Sequence, residues 1–242
     1  MLYENLLRGQ ISTSTLIKDA LKYSVYASSV QEIEESLLFL VREEDGRRLV
    51  IINPGTILDD FTGDEYHDGK VRICPADKSN LKPLWRHFPF TRPIAYADKP
   101  VTIGLGDRLG IATPGHIMAI KETVAFPVLA QQSMRELNFT GRTYEDVLST
   151  AAWSVFQEGY KSGYGADGDH LKTADEIKMA LDIGMTMITL DCSDYIDNTI
   201  EGLEFHELSA RYQKMTEIPR LEMESMYLGR EFEISPDLCL SF

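Results

Sequence analysis

From Pro100 onward, strand-like and helix-like stretches alternate, and nothing else in the sequence narrows the fold as far. "VTIGLGDRLGI" has the pattern of a strand running into a Gly-rich loop. "TPGHIMAIKET" follows as a helix, with Thr113 as its N-cap and Pro114 at the first helical position. "FPVLAQQS" is the second strand. "TYEDVLSTAAWSVFQEGY" then puts Val147, Leu148, Ala151, Val155 and Phe156 on one helical face, opened by Thr143 with Asp146 three residues on. The third strand lies in "GYGADGDHLK". Its helix starts with the capping pair Thr173 and Glu176, turns Ile177, Ala180 and Leu181 inward, and stops at Gly184. "MTMITLDCSDY" is the fourth strand.

Four such units predict a parallel sheet with crossover helices, either a doubly wound sheet or a (β/α)8 barrel. The polar residues choose between them. Every strand ends in chemically useful groups: Asp107 and Arg108, then Gln131 and Gln132, then Asp167, Asp169 and His170, then Asp191, Ser193 and Asp194. Several strands supplying one face is the barrel's habit, whereas a doubly wound sheet gathers its site at one switch point. "GLGDRLG" lacks the G-x-G-x-x-G spacing of a dinucleotide site. The expected class is therefore α/β, a partial (β/α)8 TIM-like barrel of about four βα units.

Ahead of it, residues 1–95 read as a small α+β domain. A helix is predicted over 13–27, then a hairpin around Asp45-Gly46, a short strand at "KVRICP" and a helix at "NLKPLWRHF". The barrel portion takes 96–242, with a polar helical insertion from about residue 196 and no fifth strand before the end at "DLCLSF". A complete barrel needs about 250 residues, so the pattern predicts the N-terminal half of one, completed by a missing C-terminal half or by a homo-oligomer.

The formal charge of −14 would repel a nucleic-acid backbone or an anionic membrane, so neither is expected as a partner. Three cysteines without CxxC spacing fit a reducing compartment, and no stretch is apolar for long enough to span a bilayer. A cytoplasmic protein is expected.

Among the strand ends, "YGADGDHLKT" is the richest. Asp169 and His170 are adjacent and would face opposite ways on a regular strand, but on a turn both reach one pocket. There the histidine can ligate a divalent metal and the carboxylate can ligate, orient the ring or act as a base. The plainer alternative makes His170 a helix-entry residue and Asp169 an acceptor for backbone amides. Asp107 and Arg108 form either an internal ion pair or a substrate contact, and Gln132 satisfies either the rim backbone or a ligand.

"GLGDRLGIATPGHI", "AQQSMREL", "TGRTYEDVLSTAAWSVFQEGY", "GYGADGDHLKT" and "TLDCSDY" together resemble the tagaturonate epimerase family, in order and in spacing, from about Leu105 to Asp194. The resemblance implies a metal-dependent enzyme of hexuronate catabolism that interconverts D-tagaturonate and D-fructuronate, sugar acids, on a barrel-type fold. It implies Asp169 as proton acceptor and His170 as a ligand of a divalent metal cation. The family's proton donor and other metal ligands lie further toward the C-terminus, in a region without a counterpart here. For the substrate, Asp107, Arg108, Gln132 and Lys172 are the strand-end candidates. Arg108, Arg135 and Lys172 are the cations available to a carboxylate, with Arg108 preferred for bidentate pairing. The competing expectation is a non-catalytic half-barrel that needs a partner chain.

Overall fold

β1 (Gln31–Ile33) pairs with β2 (Ser36–Glu43), and β2 turns at Asp45-Gly46 into β3 (Gly46–Ile52), as the sequence predicts. Gly46 has φ +142°, which a side chain would resist. β4 (Asp64–Tyr66) and β5 (Val71–Pro75) complete an antiparallel sheet of order β1-β2-β3-β5-β4. The computed structural model describes residues 25–53, 55, 60–215, 217–236 and 238–241. Positions 13–24 of the predicted first helix lie outside the described residues. At the end of that stretch Val25 bridges Val41 and the Tyr26 amide donates to the Leu40 carbonyl, so 25 and 26 join the sheet.

β2 is apolar without alternation because both faces of this sheet are covered. Leu38 and Leu40 join Leu49 and Ile51 in the main core, while Leu37, Phe39 and Val41 join Val50, Ile52 and Ile73 on the other face. The sheet leads into α1 (Leu81–His87) through Asn80, which is wholly buried. The Asn80 Oδ1 accepts from the Thr62 amide, and its Nδ2 donates to the Thr62 and Pro75 carbonyls.

The second sheet holds β6 (Thr102–Gly104), β7 (Phe126–Ser133), β8 (Gly165–Leu171) and β9 (Met187–Leu190). All three pairings are parallel, and spatial order follows chain order. A doubly wound sheet must reverse direction at a switch point. This one does not, and it is a curled half-barrel, the partial TIM-like barrel expected.

Its helices are α2 (Thr113–Ile120), α3 (Met134–Thr140), α4 (Tyr144–Glu158) and α5 (Ala174–Ile183). α4 and α5 carry the predicted capping boxes and both end in left-handed glycines, Gly159 and Gly184. α4 is buried on nearly every side, beyond the single face that its spacing predicts. Val147, Leu148, Ala151, Trp153, Val155 and Phe156 all belong to the core shared with β2 and β3. Trp153 Nε1 donates to the Asp77 carbonyl, and Arg47 donates to Ser154 Oγ and Gln157 Oε1. Burial of each large apolar side chain contributes about 1.5–3 kcal/mol, so this helix is the strongest joint between the two sheets.

Three expectations change in detail. α3 was not anticipated, although Ser133 and Glu136 form a complete capping box at its start. Leu181 is 53% exposed rather than buried, while Ala180 is buried and Ile177 half-buried against the core, as expected. Thr113 does not cap α2; it is the first helical residue, and Asp107 does the capping from the preceding loop. Asp107 Oδ1 accepts from the Gly110 and Ile111 amides, and Oδ2 from the Ala112 and Thr113 amides and the Thr113 hydroxyl. Short-range geometry favours this, because a carboxylate reaches four amides where a threonine hydroxyl would reach one.

The chain divides into two compact units after Asp191. The unit Cys192–Phe242 contains α6 (Phe205–Gln213), α7 (Glu217–Tyr227) and a separate antiparallel hairpin of β10 (Glu231–Ser235) and β11 (Leu238–Ser241). "DLCLSF" thus contributes a strand, though to this hairpin and not to the parallel sheet. Tyr212 Oη donates to Glu224 Oε1 at 2.8 Å, tying the two helices together. Among the described residues no helix is long and apolar enough to cross a membrane. The cysteines are free, Cys74 buried and Cys192 and Cys239 exposed.

Burial pushes the Asp107 carboxyl up, but the Thr113 hydroxyl and the Thr113, Ile111 and Ala112 amides outweigh it and hold the group below the usual aspartate range. Its stabilising effect is therefore complete above the unfolded aspartate pKa of about 3.9 and is lost as pH falls through the lower folded value. Asp107→Ala should cost about 2–4 kcal/mol in urea unfolding at neutral pH. The gap to the unsubstituted protein should close as the medium is acidified; a gap unchanged at low pH would remove the ionised cap from the account.

Candidate functional site

The inward face of the half-barrel is layered from the amino to the carboxyl ends of its strands. At the bottom, Tyr96, from the stretch that precedes β6, stacks on Phe126, 5.4 Å between centroids, and packs with Val128. Gly165 makes this possible, since a Cβ there would lie 2.2 Å from the Tyr96 ring. Tyr96 Oη donates to Met187 Sδ at 2.7 Å, and burial, with the Asp167 charge, pushes its pKa up to about 12.

Above it lies a polar layer. Asp167 is wholly buried, and its carboxylate accepts from Gln131 Nε2 at 3.1 Å and from Thr189 Oγ1 at 2.8 Å. Gly104 leaves room for Gln131, whose Oε1 would stand 2.5 Å from a Cβ on that glycine. Burial raises the Asp167 pKa, the Thr189 and Gln131 hydrogen bonds oppose it, and the nearby Asp169 charge adds to the rise.

At the top, β8 holds one more residue than β9 between the pairs Gly168–Ile188 and Leu171–Leu190. The extra residue is a bulge at Asp169-His170, and His170 takes φ +56°, the left-handed region. That turn brings two adjacent side chains to one side. His170 Nδ1 lies 2.7 Å from Asp169 Oδ1, with the imidazole 61% exposed and the carboxylate 18%. The Asp169 hydrogen bond, then its charge, raises the histidine pKa.

A cleft of about 740 Å³ opens around this pair, lined by Arg108, Arg135, Glu136, Lys172 and Asp191 among others. Its cations differ in their surroundings. Arg108 pairs with Glu136, and Lys172 Nζ stands 3.7 Å from Asp191 Oδ2. The Arg135 guanidinium stacks 5.6 Å from the Phe139 ring and pairs with no carboxylate among the described residues.

Of the residues singled out from sequence, the structure brings Arg108, Asp169, His170 and Lys172 together at this cleft. Asp107 lies in the α2 cap. Gln132 is wholly buried on the opposite face of β7, donating to Thr140 Oγ1 and accepting from Arg142 Nη1. Neighbours on one strand point opposite ways, so the inward glutamine is Gln131. Sequence reading passed over Thr189, Glu136, Arg142 and Tyr144. The S-x-x-E spacing at Ser133 could have flagged Glu136; no local signal marks Thr189, whose partner Asp167 is brought by sheet pairing. The Tyr144 hydroxyl is buried without a hydrogen-bond partner among the described residues, and burial, with the charges of Asp169 and Asp167, raises its pKa.

His170 Nδ1 is oriented by a carboxylate and its other ring nitrogen is available, which suits a metal ligand. Among the described residues no group of three or more His, Cys, Asp and Glu could hold a metal ion, so this chain's described part fits as a contributor to a ligand set.

A parallel half-barrel with a carboxylate-oriented histidine and cations at the carboxyl ends of its strands has the layout of barrel enzymes that act on small anionic molecules. Comparison with known proteins makes this specific: the chain belongs to the tagaturonate epimerase family, whose model matches residues 26–242. The tagaturonate/fructuronate epimerase of Thermotoga maritima is 39% identical over 215 residues, which are 88% of this chain and 44% of that protein. The glycerol-bound crystal structure of fructuronate-tagaturonate epimerase UxaE from Cohnella laeviribosi superposes with a TM-score of 0.80 at 41% identity, covering 100% of this chain and 46% of that one. The native structure of the same enzyme gives 0.79 at 42% identity, over 95% and 46%. The chain thus spans about half the length of these relatives.

A non-glycine residue held left-handed stores about 1–3 kcal/mol. Replacing His170 by Gly should therefore leave a more stable protein than replacing it by Ala, by about 1 kcal/mol in denaturant unfolding. Equal stabilities for the two variants would show that the bulge relaxes once the imidazole is gone.

Proposed function

We propose that this chain carries the strand-end half of a metal-dependent epimerase site that interconverts D-tagaturonate and D-fructuronate. The observation that supports it best is the Asp169–His170 pair, turned into one cleft by the left-handed bulge, in a chain of this family. The two ketouronates differ at a carbinol carbon one position beyond the carbon next to the ketone. Abstraction of a proton beside the ketone does not reach it directly; cleavage and re-formation of the bond between these carbons, a retro-aldol and aldol sequence, does, and proton transfer through a shifted carbonyl is the alternative route.

In the retro-aldol sequence Asp169 takes the proton of the carbinol hydroxyl as the carbon–carbon bond breaks, giving an aldehyde and leaving the bond's electron pair on the ketone fragment as its enolate. The aldehyde turns over and the bond re-forms on its other face, with the proton returned from Asp169. His170 would hold a divalent ion through the ring nitrogen that Asp169 leaves open. When bound, that ion acts as a Lewis acid for developing negative charge on oxygen. Arg135, the cation with no described carboxylate partner, pairs with the substrate carboxylate, and Arg108 and Lys172 border the same space. The remaining ligands come from outside the described residues, in the missing C-terminal half or in a second copy, and the reaction proceeds in the cytoplasm.

A second reading, a half-barrel without activity of its own, is favoured by the shortage of ligating groups among the described residues. Assay of D-fructuronate formation from D-tagaturonate with added divalent metal separates the two. For the epimerase, Asp169→Asn should reduce turnover about 10²–10⁴-fold, and Arg135→Ala should raise KM more than it lowers kcat. No turnover alone or with the C-terminal half of a relative added would leave the second reading standing.

A further inference from the structure

A second cleft, of about 790 Å³, opens on the outer side of the helix layer and shares no lining residue with the strand-end cleft. One wall is a stripe of cations. Lys78 lies in the short helical turn Lys78–Asn80 that leads into α1, and Lys82 and Arg86 follow at intervals of four, which sets all three along one helical face. Arg92 closes the cleft from the segment after α1. The opposite wall comes from α4 and α5 and brings two carboxylates, Glu145 and Asp182. In a chain of net charge −14, the lining of this concavity is richer in cations than in acids, and the two carboxylates that pair with Lys78 and Arg86, Asp146 and Asp60, stand outside it.

The cations are not all neutralised. Lys78 pairs with Asp146 at 2.9 Å and Arg86 with Asp60. Neither Lys82 nor Arg92 forms an ion pair among the described residues. Arg92 is held in place nonetheless, because its guanidinium stands 5.8 Å from the centre of the Trp85 ring. Trp85 in turn donates from Nε1 to the Thr91 carbonyl at 3.1 Å and packs against Gly184, where a Cβ would stand 3.6 Å from the ring. A fixed guanidinium beside an ammonium group, neither of them paired with a carboxylate among the described residues, is an arrangement that recognises oxyanions.

We infer that this cleft binds a small polyanion bearing carboxylate or phosphate groups, contacted by Lys82 and Arg92 and lying against Trp85. The inference is independent of the epimerase reading. The chain has two tryptophans, and the other, Trp153, is wholly buried, so emission changes on anion binding report Trp85. Pyrophosphate and citrate are titrated separately into the full chain at constant ionic strength, with calorimetry in parallel in case emission is silent. A saturable response is expected, weakened about tenfold in Lys82→Ala and again in Arg92→Ala, the loss of one charge-assisted contact each. Arg92→Lys, which keeps the charge and gives up the planar stack, should also weaken it. Tighter binding of pyrophosphate assigns a phosphorylated ligand; tighter binding of citrate assigns a polycarboxylate. No saturable response by either method, or affinities unchanged in these surface variants, would overturn the proposal.

Discussion

The burial of α4 between two sheets is the constraint on which the rest depends. A helix with one apolar face needs one partner, whereas Trp153, Phe156, Leu148 and Ala151 present apolar surface in several directions. The antiparallel sheet supplies one side through Leu38, Leu40, Leu49 and Ile51, and the parallel sheet supplies another through Leu129, Ala130 and Ala166. Packing of this density does not deform gradually, so each sheet fixes the orientation of the other. The strand ends inherit that rigidity. Arg142, at the loop before α4, passes it on by donating to the Asp107 and Arg108 carbonyls, to Gln132 and to Thr150.

Against this rigid frame stands one local irregularity, at His170. One inserted residue in β8 and one unusual backbone angle convert an alternating pair into a convergent one. Below it, the buried Asp167 carboxylate is held, among the described residues, by the Gln131 amide and the Thr189 hydroxyl and by no cation. A buried carboxyl held by neutral donors places negative potential beneath the bulge, which favours a cation above it.

Much of this was legible in the sequence. Alternating strand and helix patterns, capping pairs at Thr143 and Thr173, and the Asp45-Gly46 turn all act over a few residues, and all appear where expected. What escaped depends on contacts between distant residues. Asp107 reads as a strand-end functional group, yet its five donors are collected by a loop whose path the sequence does not reveal. Gln131 and Gln132 are chemically identical, and only the register of β7 against β8 decides which faces inward. Leu181 fits the helical spacing of a core residue but lies at the margin of what α4 can cover. The pairing of Asp169 with His170 was anticipated as a turn; its true cause, a bulge within pairing strands, has no signature in composition.

Because spatial order in the parallel sheet follows chain order, each βα unit lays its strand beside the one made just before it. No strand has to be inserted between two that are already in place, and no finished edge must reopen. During synthesis from the N-terminus, β7 can settle on β6, β8 on β7 and β9 on β8 as each leaves the ribosome. α4 emerges between β7 and β8, after the whole antiparallel sheet exists to receive it. The architecture thus suits construction by accretion, in which every completed stage is the template for the next.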